Sequence, residues 1–159
     1  MSLQQELGLP APFSRKAHEA MLSIIVTGTL LSKEGERILR PFGLTNAQFN
    51  ILMLLKYQSK DGKISQTGLS HMLLVRRPNV TGLIDRMEKL GLIRRVADPV
   101  DRRVNYIEMT KKGAKIVEKL HSIYYRRLDE VMSVLPEHAY DNLCGYLESI
   151  RKNMKGITK

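Results

Sequence analysis

Arg76 and Arg77 stand at the wrong end of a helix. In the stretch RRPNVTGLIDR, residues 76–86, Pro78 suits a first helical position, and Val80, Leu83, Ile84 and Met87 then recur at helical spacing. A helix start already carries partial positive charge, so an exposed cation there costs about 0.3–1 kcal/mol. Beside a phosphate the sign reverses, because the helix start and the guanidinium groups attract the same anion. The pattern points to a polyanionic ligand that completes the site.

A second group of cations follows. Residues 92–109, LIRRVADPVDRRVNYIEM, read as two strands around the turn Asp98-Pro99-Val100-Asp101. Arg102 and Arg103 fall just past that turn, where a side chain can reach a narrow minor groove. Between residues 75 and 103 the chain has eight Arg or Lys, Arg86 among them, and four Asp or Glu, a local charge of +4. A solvated hairpin whose Asp98 and Asp101 neutralise the arginines accounts for the same residues.

The elements that must position these groups are mostly helical. A helix over Phe13–Arg40 carries Ala17, Met21, Ile24, Gly28, Leu31, Gly35 and Ile38 in steps of three and four, a seam for a helical partner. Pro41 and Gly43 end it. Thr45 and Gln48 form a capping box for a helix bearing Phe49, Leu52 and Leu55. Ile64 reads as a one-residue sheet contact. Ser65 caps a short helix with Leu69, Met72 and Leu73 facing inward, and Gly91 stops the helix that starts at Pro78. Thr110 caps a long helix through Val117, Leu120, Tyr124, Leu128, Val131 and Leu135. Pro136 interrupts it before a last helix with Ala139, Leu143, Tyr146, Leu147 and Ile150. Two helices joined by a tight turn, the second beginning with polar and basic residues, describe a helix-turn-helix.

Composition agrees. The chain has 159 residues and a formal net charge of +10, which favours nucleic acid first and an anionic membrane surface second. A hydrophobic content of 43% argues against disorder. The single cysteine, Cys144, suits a reducing compartment, and no signal peptide or apolar stretch of spanning length is evident, so a cytoplasmic location without membrane contact is expected.

Three segments together, LTNAQFNILMLL, ISQTGLSHMLLVRRPNVTGLIDRMEKLGLIRR and DPVDRRVNYIEMTKKG, resemble the MarR family of winged helix-turn-helix regulators. The resemblance runs from about residue 20 to residue 125 and is densest over 64–113. It implies a mainly α fold with a small β-hairpin wing and a helical dimerisation region from both chain ends. The corresponding division is 1–40, 41–110 and 111–159, the middle part binding DNA. It further implies a homodimer on a pseudo-palindromic double-stranded operator, typically a repressor released by a small aromatic or phenolic effector. Carried over by residue, the recognition helix starts at Pro78 after Arg76, with Arg77, Asn79 and Thr81 facing the groove. Ser65, Gln66 and Thr67 then touch phosphates, Arg102 enters the minor groove, and Arg103 is held by Asp101.

Other residues offer less. HEAML, residues 18–22, has Leu22 where a zinc-protease motif needs its second histidine, and His71, His121 and His138 are scattered, so no metal is expected. No nucleophile–base pair or Gly-rich phosphate loop is present, so neither an enzyme nor a cofactor is expected. Cys144 reads as a small hydrophobe in the dimer region or as a thiol sensor. The methionines with Tyr124, Tyr125 and Tyr140 read as core or as the lining of an effector pocket. The alternative function is a basic scaffold that binds nucleic acid by charge alone.

Overall fold

Side-chain caps decide where the central helices begin. The Thr45 hydroxyl accepts from Gln48 N at 3.3 Å while Gln48 Oε1 accepts from Thr45 N at 2.9 Å, the reciprocal pair the sequence announces. Ser65 Oγ accepts from Gly68 N at 3.0 Å, and Thr110 Oγ1 accepts from Gly113 N at 3.1 Å. A computed structural model of the chain describes residues 2–73, 77–99, 101 and 104–157, with backbone alone at 77–79 and 157.

The chain divides into two units, Met1–Leu120 and His121–Lys159. The first contains α1 (Leu3–Glu6), α2 (Lys16–Leu39), a 3-10 turn (Arg40–Phe42), α3 (Asn46–Tyr57), β1 (Lys63–Ser65), α4 (Gln66–Met72), α5 (Arg77–Lys89), β2 (Ile93–Ala97) and β3 (Asn105–Met109). Helix α6 (Lys111–Met132) starts in the first unit and ends in the second, which also holds α7 (His138–Ile157). The fold is thus mainly helical with a small antiparallel sheet.

That sheet has the order β1-β3-β2. Ile64 pairs with Ile107 and Ser65 with Tyr106, while Arg95 also pairs with Ile107 from the other side. Ile64, Ile93 and Ile107 are buried, as are Phe49, Ile51, Leu52 and Leu55 of α3 and Leu69 of α4. Helix α5 contributes Val80, Leu83, Ile84 and Met87, all buried, so its apolar stripe faces this core. The helix ends as expected: Gly91 has φ +69°, its N–H donates to Glu88 O at 2.8 Å, and Leu92 N donates to Met87 O at 3.0 Å. Lys112 Nζ donates to Leu90 O at 2.7 Å, placing a cation at the negative end of α5.

Several expectations need correction. Helix α2 starts at Lys16 rather than Phe13, because Arg15 is extended (φ −134°, ψ 127°). Ile64 belongs to a three-residue strand, since Lys63 and Ser65 pair with β3 as well. Met72 does not face inward: Leu69 and Leu73 take the core line of α4, and Met72 remains 48% exposed at its edge. Helix α6 stops at Met132, before Leu135, ahead of the α-region restriction that Pro136 imposes on its predecessor. Of the seam on α2, Gly35 lies against Asn46, whose side-chain Nδ2 donates to Ser32 O at 2.9 Å. Met21, Ile24 and Leu31 of the same seam are exposed in the single chain.

Close packing is tightest where α6 leaves the sheet. A Cβ at Gly113 would lie 2.3 Å from Leu92 O and 2.9 Å from Met109 Cγ. The same carbonyl accepts from Thr110 N at 3.0 Å, so it is not free to withdraw. Gly113→Ala is expected to lower stability by about 1–3 kcal/mol, as overpacking does. A fall in the urea midpoint at unchanged slope is the measurement.

Candidate nucleic-acid interface

The starts of α4 and α5 meet the base of the wing around an open groove of about 430 Å³. Ser65, Gln66, Thr67, Ser70, Thr81, Val104 and Asn105 line it. Four of the eleven candidate residues, Ser65, Gln66, Thr67 and Thr81, are therefore brought together although 16 positions separate the first from the last. Among the described residues the lining contains no charged side chain. It presents hydroxyl and amide groups, which suit the oxygens of a sugar–phosphate backbone.

The local structure explains each position. Ser65 ends β1 and caps α4, so its side chain is held at a helix start. Thr67 is exposed in the first turn of α4. Ser70 turns its hydroxyl back to Gln66 O at 2.9 Å. Thr81 is exposed on α5, opposite the buried stripe, and accepts from Gln66 Nε2 at 3.0 Å. Arg86 is also exposed, but lies in the last turns of the helix. Arg77, Pro78 and Asn79 are helical in backbone, which starts the recognition helix one residue earlier than expected. Arg76, Arg102 and Arg103 lie outside the described residues. At the turn between the strands, Asp101 N donates to Asp98 Oδ1 at 2.8 Å and Asp98 N donates to Val104 O at 3.0 Å.

Two of the arginines in the local charge count do other work. Arg95 of β2 reaches back to α5, where its guanidinium bridges Asp85 and Glu88, and its backbone N–H donates to Glu88 Oε1 at 2.9 Å. Partial burial works against its charge, but the hydrogen bonds and charges of Asp85 and Glu88 outweigh this, so its pKa is raised above the ordinary arginine value. Arg94 pairs with Glu108 across the β2–β3 ladder at 2.7 Å. The count of eight cations over residues 75–103 therefore overstates what a ligand meets, although the net charge of +4 is unchanged because Asp85 and Glu88 are taken up with them.

Sequence reasoning missed Ser70 and Asn105 in the groove and the clamp of Arg95 on α5. A signal for the clamp was present: Asp85 and Glu88 lie one turn apart on a helix, just before a basic strand. Among the described residues no group of His, Cys, Asp and Glu could hold a metal ion, and no helix is long and apolar enough to cross a membrane. Cys144 is exposed in the single chain.

Known proteins share this architecture. The chain is 32% identical over 142 residues to the transcriptional activatory protein BadR of Rhodopseudomonas palustris, covering 89% of this chain and 81% of BadR. Residues 44–104 match the MarR family. The chain belongs to the MarR family. Two solved structures agree in fold. AbsC of Streptomyces coelicolor, a MarR family transcriptional regulator, superposes with a TM-score of 0.83 at 22% identity, over 92% of this chain and 99% of AbsC. The S. aureus MepR–DNA complex matches with a TM-score of 0.75 at 25% identity, over 90% of this chain and 99% of MepR. The wing of this MarR-family chain is the β2–β3 hairpin, and α4 and α5 are its helix-turn-helix.

The clamp ties the recognition helix to the wing, so Arg95→Met should loosen both. Asp85 and Glu88 are 49% and 37% exposed, which limits the expected loss to about 1 kcal/mol. Arg95→Lys should recover only part of it, because one ammonium does not span two carboxylates as a guanidinium does. Urea titration of both variants at low and high salt measures this, the loss shrinking as salt screens the pairs.

Proposed function

We propose that this MarR-family regulator is a sequence-specific DNA-binding homodimer that represses transcription and is released by a small ligand. The observation that carries the reading is the groove of Ser65, Gln66, Thr67 and Thr81 at the joined starts of α4 and α5. Ser65, Gln66 and Thr67 take phosphate oxygens, and Arg76 and Arg77 add charge at the helix start. Arg77, Asn79 and Thr81 face base edges, Arg102 enters the minor groove, and Arg86 and Arg103 add to the positive field. No catalytic role is assigned to any residue. The name MepR–DNA complex for a relative of like fold supports a duplex partner.

Dimerisation supplies the second half-site. Met21, Ile25 and Leu30 of α2 are 52%, 54% and 52% exposed, and on α7 Tyr146 and Met154 are 70% and 62% exposed. Apolar faces of this kind are ordinarily covered by a partner, and we assign a second copy of the chain to that role. Two recognition helices then meet successive major grooves roughly 34–36 Å apart.

Selection from a randomised duplex library by the purified protein tests this. The expected outcome is a two-fold-symmetric site whose affinity drops steeply, by about a thousandfold or more between 50 and 200 mM salt for 6–10 phosphate contacts. Asn79→Ala should relax base preference within each half-site, and Arg102→Ala should weaken binding without altering the fold. Equal affinity for selected and random duplex would favour a basic scaffold instead. The name of BadR favours a second sign of regulation, activation. Transcription from the selected promoter rises on deletion of a repressor and falls on deletion of an activator.

For the ligand we assign a cleft of about 360 Å³ between α3 and the end of α4, lined by Met53, Leu54, Tyr57 and Met72 with Asn50 and Gln58 at its polar side. Its size and mixed lining suit a small aromatic or phenolic molecule. Because α4 spans from this cleft to the groove, an occupant displaces Ser65 and Gln66. Phenolic compounds are expected to release the duplex from the wild-type protein, and Met72→Trp, which fills the cleft, to abolish release while DNA is still bound. Fluorescence anisotropy of labelled duplex reads both.

A further inference from the structure

Among the described residues one side-chain hydrogen bond joins α4 to α5, and it is made by two residues of the groove. Gln66 Nε2 donates to Thr81 Oγ1 at 3.0 Å. Gln66 is half-buried and its own backbone carbonyl holds Ser70 Oγ at 2.9 Å, so its side chain leaves from a fixed point. Thr81 is exposed, and among the described residues its hydroxyl donates to nothing.

A threonine hydroxyl carries one donor and two acceptor lone pairs, and its proton rotates to suit. With one lone pair taken by Gln66, the oxygen keeps its proton and one lone pair, and accepting a hydrogen bond strengthens the proton as a donor, which favours that role. We infer that Gln66 is a positioning residue for specificity: it sets the Thr81 hydroxyl as a donor toward the groove. This rests on the operator-binding reading above and deepens it. Gln66 then acts through Thr81 rather than by its own phosphate contact.

The chemistry of base edges turns this into a preference. In the major groove guanine shows N7 and O6 acceptors, adenine an N7 acceptor beside an N6 amino donor, and thymine an O4 acceptor, whereas cytosine shows an N4 amino donor and no acceptor. A Thr81 set as donor finds no acceptor only at cytosine. The base under Thr81 is therefore guanine, adenine or thymine, with cytosine disfavoured.

The test compares library selections by the wild-type protein, Thr81→Val, Gln66→Ala and Gln66→Glu, with binding to random duplex measured alongside. Thr81→Val identifies the position it reads, where discrimination against cytosine should fall about three- to tenfold, the range for one hydrogen bond. Gln66→Ala should lose the same discrimination at the same position, a change in base profile beyond any uniform loss of affinity for random duplex. Adding Gln66→Ala to Thr81→Val should change little further. Gln66→Glu should shift that position toward cytosine, because a carboxylate accepts the Thr81 proton and turns a lone pair to the DNA, even as its charge lowers overall affinity. If alanine destabilises α4, Gln66→Met removes the donor at similar length. A base profile unchanged by either Gln66 or Thr81 substitution, with affinity lowered equally for all sequences, would overturn the inference and leave Gln66 as a backbone contact. Absence of any selected site for the wild-type protein would instead remove the operator reading itself.

Discussion

The seating of α5 governs everything the interface presents. Val80, Leu83, Ile84 and Met87 are buried along one stripe, which fixes the rotation of the helix about its axis. Thr81 and Arg86 are exposed because they lie off that stripe. Two further restraints set its tilt and ends. Arg95 holds Asp85 and Glu88 from the sheet, and Lys112 with the Gly91 turn closes the C-terminal carbonyls. A helix held on three sides offers one face, and a reader of DNA needs that constancy.

The clamp also changes the meaning of charge in this chain. Counting Arg and Lys along residues 75–103 treats every cation as available. Arg94 and Arg95 answer to Glu108, Asp85 and Glu88, so they stabilise the scaffold rather than attract a ligand. Among the described residues the groove at the helix starts carries no charge and presents the hydroxyls of Ser65, Thr67 and Thr81.

Local signals were legible and tertiary ones were not. The Thr45–Gln48 box, the Ser65 and Thr110 caps and the Gly91 stop are written within four residues of themselves, and the structure contains each. The strand Lys63–Ser65 is too short to show a period of two, so only Ile64 stood out. Met72 has the same apolar character as Leu69 and Leu73, and only the packing of α4 tells which of the three is left at the edge. The contact of Gln66 with Thr81 spans 15 positions and depends on how two helices cross, which no spacing rule encodes. Ser65, Gln66 and Thr67 were placed at the interface by the family resemblance, and cap chemistry alone marked only Ser65 as a helix start.

The order of the sheet has a mechanical meaning. Strand β3 lies between the other two, and β1 runs without a break into α4, since Ser65 pairs with Tyr106 and is also the cap of that helix. No hinge residue separates the hairpin from the supporting helix. A displacement of the hairpin travels through the ladder to residue 65 and moves the head of α4 with it, so hairpin and helix behave as a single lever.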